Sequence, residues 1–304
     1  MPKRVKLIFN PIANLGRAWS IAAALRPIVY ELGGADWTGT VYPTHATELA
    51  RQAADEGYDL VVAMGGDGTM HEVLNGLMQV PAEKRPALGI VPVGSGNDFA
   101  HACGISANPE EALRQTLSGT PKAVDVGLVR DGQGREEYWA NAIGIGFDTI
   151  VTLKSRKIIL FQGFAVYLIA VLQTILFQYE PFKLNIKVDD QEMTKDLMLL
   201  TLMNGNREGG GFHVTPKSKP DDGHLDYLMV DHVSRLRMLR ILPEVMKGTQ
   251  EKLSDCSMST FKKFELTSDR PLFVHSDGEI FATPTSKCKY LYAEIIENAV
   301  QVVR

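Results

Sequence analysis

Residues 59–69 read Asp59-Leu60-Val61-Val62-Ala63-Met64-Gly65-Gly66-Asp67-Gly68-Thr69. An apolar run of strand length ends in paired glycines and opens a helical stretch through Glu72, Leu74 and Leu77. A buried strand that turns through glycine into a helix is the repeating unit of a parallel sheet covered by helices. Such a turn lets backbone N–H groups approach a polyphosphate, with the positive end of the helix behind them. Thr69 adds a hydroxyl. A carboxylate at phosphates is repulsive unless a cation lies between, so Asp67 reads as a Mg²⁺ or metal-water ligand; the plainer alternative is an N-cap.

Two neighbouring loops repeat this arrangement. Pro92-Val93-Gly94-Ser95-Gly96-Asn97-Asp98-Phe99 follows an apolar strand at 88–91, with Ser95 placed to bond phosphate and Asn97 or Asp98 to bond ribose or join a metal-water shell. Asn10-Pro11-Ile12-Ala13-Asn14, with Gly16 and Arg17, follows a strand at 5–9 and precedes a helix running to about Leu32; Asn10 and Asn14 are candidates for nucleotide groups and Arg17 for a phosphate, although an Asn-Pro turn before a helix is also ordinary. A further strand is expected at 37–42. Together these predict an α/β domain with ligands at the strand ends.

Beyond a helix at 109–117 the pattern changes to strands, expected at 123–130, 138–143, 182–188, 198–203, 225–230, 261–266, 272–275 and 290–296, with one helix at 236–246. This half reads as mainly antiparallel β. The expected division is 1–125 for the α/β domain and 126–296 for the β domain, with a last strand at 297–304 able to return to the first.

Composition narrows the classes. A chain of 304 residues with 45% apolar content can bury two cores, and a net charge of -4 gives no basic field of the kind that holds nucleic acid. Three dispersed cysteines without a CxxC pair argue against a disulfide framework or zinc knuckle and for a reducing, cytoplasmic setting. The apolar start at 5–9 is too short for a signal-peptide core. The region 158–177 has about the length of a membrane span, yet Gln162 and Gln173 interrupt it and Lys154, Arg156 and Lys157 precede it. A long helix packed on the second domain, an interfacial segment in peripheral contact with a membrane, and a span all remain open. The run Arg235, Arg237, Arg240 reads as a solvated helix face. The seven histidines are scattered, and no GxSxG elbow is present. For oligomeric state a symmetric homodimer is the general expectation, with no residue here to specify it.

The order NPxxNxG, GGDGTxxE, GSGNDFA, followed by Gly209-Gly210-Gly211-Phe212, Pro216, Asp222-Gly223-His224-Leu225-Asp226 and finally Asp277-Gly278-Glu279, resembles the catalytic domain of diacylglycerol, sphingosine and ceramide kinases, with the nearest likeness to bacterial lipid kinases. The resemblance covers nearly the whole chain. It implies a first domain like those of phosphofructokinase and NAD kinase, and a β-sandwich that receives a lipid. It places ATP contacts at Asn10, Pro11, Ile12, Ala13, Asn14, Thr44, Gly66, Asp67, Gly68, Thr69, Met70, His71, Glu72 and Ser95. Catalytic Mg²⁺ and its waters fall to Asp67, Asp98 and Asp125, and a structural metal to Asp222 with backbone carbonyls of Lys219 and His224. Glu279 matches the general base, and Asp277 either orients it or shares a metal-bound water. Ser95 stands where threonine is usual, and His71 where asparagine is expected. The implied function is transfer of the γ-phosphate of ATP to a lipid hydroxyl at a membrane surface. A kinase of NAD and a noncatalytic nucleotide-dependent lipid sensor are the competing readings.

Overall fold

The structure is a computed structural model and describes residues 3–158, 163–178 and 180–304. It divides into two compact units, Met1–Val126 with Glu297–Arg304, and Gly127–Ile296.

The first unit alternates strand and helix: β1 (Val5–Phe9), α1 (Arg17–Glu31), β2 (Asp36–Gly39), α2 (His45–Asp55), β3 (Leu60–Gly65), α3 (Asp67–Met78), β4 (Ala87–Pro92), α4 (Asp98–Ala102) and α5 (Pro109–Ser118). The strands are parallel in the order β4-β3-β1-β2. All of β3 is buried, which is why it reads as an unbroken apolar run. Leu7, Phe9, Val62 and Met64 pack against Leu25 and Val29 of α1, each such side chain contributing about 1.5–3 kcal/mol by burial. The second strand ends earlier than the expected 37–42, at Gly39, where a side chain would press on the Phe9 ring 3.2 Å away. The segment 297–304 belongs to this unit: Val302 pairs in parallel with Leu88, Val303 joins the core, and Asn298 donates its N–H to Asp125 Oδ1 at 2.7 Å.

A strand β5 (Pro121–Asp131) carries the chain onward. The second unit continues with β6 (Glu136–Trp139), β7 (Ala142–Gly146), α6 (Phe147–Ser155), α7 (Phe164–Phe177), β8 (Phe182–Val188), β9 (Gln191–Met203), β10 (Leu225–Asp231), α8 (Arg235–Lys247), β11 (Cys256–Phe261), β12 (Lys263–Ser268), β13 (Val274–Ser276), β14 (Glu279–Ala282) and β15 (Tyr290–Val303). Its strands run antiparallel in the order β14-β13-β7-β9-β8-β12-β15, with β10 joining β9 to β11. In β8 every second residue is buried, the mark of a sheet with one face on a core. A second apolar cluster gathers α6, α7 and α8 against Met198, Leu228 and Val230.

Two expected strands are each broken in two. The stretch 138–143 splits into β6 and β7 because Ala140 and Asn141 turn to bond Asp277. The stretch 261–266 divides at Lys262, where the Asp189 carboxylate takes the N–H groups of Lys262 and Lys263 at 3.1 and 2.8 Å. The helix α6 was not anticipated. Of the apolar region 158–177, residues 159–162 lie outside the described residues. Helix α7 buries Ala170, Val171, Thr174 and Ile175 and exposes Leu172, Leu176 and Phe177. Among the described residues, no helix is long and apolar enough to cross a membrane.

Candidate active site

In the first unit the loops after β1, β3 and β4 are bonded to one another. Asn10 donates its N–H to Met64 O at 3.0 Å, and Val93 donates to Gly65 O at 2.7 Å. The two glycine loops meet backbone to backbone: a Cβ on Gly66 would lie 3.1 Å from Gly94 Cα, and one on Gly94 would overlap Gly66. Only glycine at both positions permits this approach. Asn97, at φ 54°, braces its loop by accepting from Gly94 N at 3.0 Å and donating to Gly94 O at 2.8 Å. In the first loop Asn10 Oδ1 accepts from Ile12 N at 3.1 Å, and Asn14, Leu15 and Gly16 follow with φ of 52°, 57° and 84°. Ser95, Ile12 and Thr44 are exposed, while Pro11, Ala13, Gly66 and Gly68 are half-buried.

The carboxylates follow from this frame. Asp67 Oδ2 and Oδ1 accept the N–H groups of Asn97 and Asp98 at 2.8 and 2.9 Å. A Cβ on Gly96 would sit 2.7 Å from Asp67 Oδ2 and 3.1 Å from Asp98 Oδ2, so both acids close around the space that Gly96 leaves. Two carboxylates this close together beside glycine loops offer the oxygen donors that Mg²⁺ takes. Asp125 is buried, its Oδ1 bonded to Asn298 N. Among the described residues, no group of three ligand atoms within 4.8 Å joins it to Asp67 and Asp98.

Three residues expected at the nucleotide have their side chains in other roles. The Glu72 carboxylate accepts from Thr44 N at 2.9 Å and Ala46 N at 3.1 Å, capping α2 and holding Thr44 at φ 71°. Met70 and His71 are buried in α3, where Asn75 Nδ2 meets His71 O at 3.0 Å.

In the second unit Glu279 begins β14, and the Arg156 guanidinium binds its Oε2 and the Gly278 carbonyl, both at 2.7 Å. Asp277, at φ 49° and 7% exposed, accepts the N–H groups of Ala140, Asn141 and Ala142 at 2.8, 2.7 and 3.0 Å. Asp277, which the resemblance has orienting Glu279 or sharing a metal-bound water, thereby also holds the β6–β7 turn. Asn141 Oδ1 and Ser276 Oγ, at this turn, are buried without a hydrogen-bond partner. Asp222 and His224 are exposed, and Asp222 Oδ1 takes His224 N at 3.2 Å in a local turn; Lys219 is exposed in the same loop.

A cluster that sequence reading missed lies beside this turn. His275, wholly buried, places Nε2 3.4 Å from Asp148 Oδ2 and 3.3 Å from Glu208 Oε1. Gly144 makes room, since a Cβ there would overlap both His275 and Asp148. Burial pushes the Asp148 carboxyl up, but hydrogen bonds from His275, Glu208 and Thr201 outweigh it and hold the group below its ordinary value. The three residues lie far apart in sequence, on α6, in the loop before β10 and on β13, and no local spacing marks them.

Comparison with known proteins agrees with this architecture. Residues 4–129 match the family described as Diacylglycerol kinase catalytic domain, and residues 141–304 match the YegS C-terminal NAD kinase beta sandwich-like domain. A lipid kinase YegS-like protein of Chromohalobacter salexigens is 37% identical over 76% of this chain and 73% of its own. A diacylglycerol kinase of Mycobacterium tuberculosis is 32% identical over 99% of this chain and 95% of its own. A crystal structure of a diacylglycerol kinase from Bacillus anthracis shares the fold, with a TM-score of 0.73 at 23% identity over 99% of this chain and 96% of that one. Glycine loops with paired carboxylates in one unit, a β-sandwich in the other and relatives along nearly the full length lead to one conclusion: the chain belongs to the diacylglycerol kinase catalytic-domain family and is a lipid kinase.

Proposed function

We propose that the enzyme transfers the γ-phosphate of ATP to the hydroxyl of diacylglycerol or a close relative, with Mg²⁺, and with Glu279 as the general base. The observation that carries this reading is the meeting of Gly66 and Gly94, which brings the Asp67 and Asp98 carboxylates together over Gly96. In this reading the loops at 10–14, 66–72 and 93–97 and Thr44 hold the nucleotide, and Ser95 offers its exposed hydroxyl to a phosphate. Asp67 and Asp98 would hold Mg²⁺, with Asp125 fixing the frame beside them; the ion, when bound, supplies charge neutralisation to the phosphates. Glu72 acts as a positioning residue through Thr44 rather than by touching ATP.

Glu279 takes the proton of the acceptor hydroxyl while its oxygen bonds to the γ-phosphorus and the bond to the bridging oxygen of ADP breaks. Arg156 fixes the orientation of that carboxylate. The lipid is met at a membrane surface, and the exposed Leu172, Leu176 and Phe177 of α7 support peripheral contact.

The test is transfer of labelled γ-phosphate from Mg²⁺-ATP to a panel of lipids in mixed micelles, with NAD included. Label in diacylglycerol, lost on metal chelation, is the expected result. Label only in NAD, or in no acceptor, overturns the reading.

A further inference from the structure

The turn that carries Glu279 is a two-residue hairpin. Ser276 pairs with Glu279 across it, and Asp277 and Gly278 between them have φ of 49° and 83°. Turns of this form match the twist of their strands, but they leave the amides of the two central residues outside the β13–β14 ladder. Here both amides find acceptors elsewhere. Asp277 N donates to Ala142 O at 2.8 Å, and Gly278 N donates to His275 Nδ1 at 3.2 Å. Arg156 binds the Gly278 carbonyl, so both backbone polar groups of the residue before Glu279 are held.

Only one form of the His275 ring can accept this bond. An imidazole nitrogen accepts when it carries no proton, so the neutral ring has its proton on Nε2. That nitrogen faces Asp148 Oδ2 at 3.4 Å and Glu208 Oε1 at 3.3 Å, where carboxyl oxygens receive the proton. Thr201 Oγ1 donates to the same Asp148 Oδ2 at 3.1 Å, and hydrogen bonds from His275, Glu208 and Thr201 hold the Asp148 carboxyl below its ordinary value. The acids on α6 and in the loop before β10 thus decide which nitrogen of a buried ring on β13 is free to accept. The free nitrogen in turn fixes the hairpin.

We propose that His275 is a positioning residue for the general base: its unprotonated Nδ1 fixes the Gly278 amide, and with it the direction in which the Glu279 carboxylate leaves the turn, while Asp148 and Glu208 fix the ring. The proposal rests on the reading of Glu279 as the base. His275 is wholly buried and acts through the backbone. A misplacement of about 1 Å in a reacting group costs on the order of a hundredfold in rate, so a brace one residue from the base governs kcat more than it governs binding.

The experiment separates the two ring nitrogens with two amide side chains. An asparagine amide reaches the place of Nδ1 and a glutamine amide that of Nε2, so His275→Asn keeps an acceptor for Gly278 and gives up the acids, whereas His275→Gln does the reverse. With Mg²⁺-ATP and micellar dioctanoylglycerol, and folding checked by thermal melting, kcat of His275→Gln should fall about tenfold or more below that of His275→Asn, with KM for ATP within about twofold. Adding His275→Gln to Glu279→Gln should change kcat by less than about twofold, because a residue that acts through the base has nothing to act on once the base is gone. In the wild type, where no variant need fold, the Gly278 amide should exchange with solvent about a hundredfold or more slower than in an unstructured chain. An unprotected Gly278 amide, or a tenfold loss that persists in the Glu279→Gln background, would overturn the proposal. Full activity in Glu279→Gln alone would overturn the base reading and this proposal with it, whereas a loss there with equal kcat in the two His275 variants would overturn the positioning role alone.

Discussion

Two acids, two residues apart, have opposite surroundings. Glu279 is about half exposed and held by Arg156, whereas the Asp277 carboxylate is committed to three backbone amides. The Glu279→Gln variant keeps size and hydrogen bonding but cannot take a proton, so kcat should fall by roughly 10²–10⁴ with the melting temperature unchanged. Unaltered turnover would remove Glu279 from the chemistry. Asp277→Ala leaves three N–H groups without their anion and should cost about 3 kcal/mol or more, read as a lower urea midpoint. If activity vanished at full stability, Asp277 would be a catalytic residue after all. The motif Asp277-Gly278-Glu279 was legible as a unit, but the different surroundings of its two acids were not, because the partners of Asp277 lie at 140–142 and only the fold brings them there.

At the level of elements, the contact between the loops after β3 and β4 is the most demanding local feature. Gly94→Ala puts a methyl group into Gly66, at about 1–3 kcal/mol of overpacking, and pushes apart the loops that converge the two carboxylates. The expected readout is a KM for ATP raised by about tenfold or more, which is a loss of roughly 1.4 kcal/mol in binding. An unchanged KM would show that the loops need not touch. These loops were readable because glycine pairs after apolar strands are a local signal with a local cause. The breaks at Ala140 and Lys262 were not, since both are set by distant acids, Asp277 and Asp189, that capture backbone N–H groups. The same holds for Glu72: its place in the GGDGTxxE motif was plain, while its bond to Thr44 N depends on how α2 sits beside α3.

Across the whole molecule, Cys103, Cys256 and Cys288 are all buried and unpaired with one another. Burial, with the nearby Asp255 charge, pushes the Cys256 thiol up to about 11. At pH 8 about one molecule in a thousand would carry that thiolate, so an aromatic disulfide reagent should label Cys256 only after denaturation. Rapid labelling of the native protein at Cys256 would contradict its burial. The triad of Asp148, Glu208 and His275 is likewise a property of the whole second unit, which explains why a search for spaced motifs passed over it. The alternation of elements, by contrast, announced both units, since periodicity of apolar residues records burial directly.

The segment 297–304 has a further prediction attached. Arg304 and Thr120 exchange backbone hydrogen bonds at 3.2 and 3.4 Å, Arg85 bonds the Ala299 carbonyl, and Val303 lies in the core. Ending the chain after Ile296 should therefore melt the first unit earlier, seen as a separate low-temperature transition, and an unaltered melt would show the segment to be dispensable. Its position in the sequence also sets an order of birth. A ribosome that has delivered residues 1–126 has not yet made the strand that closes them, and must finish all of Gly127–Ile296 first. Within these residues the first unit opens before the second and closes after it, so during synthesis its unfilled edge waits for the unit that follows.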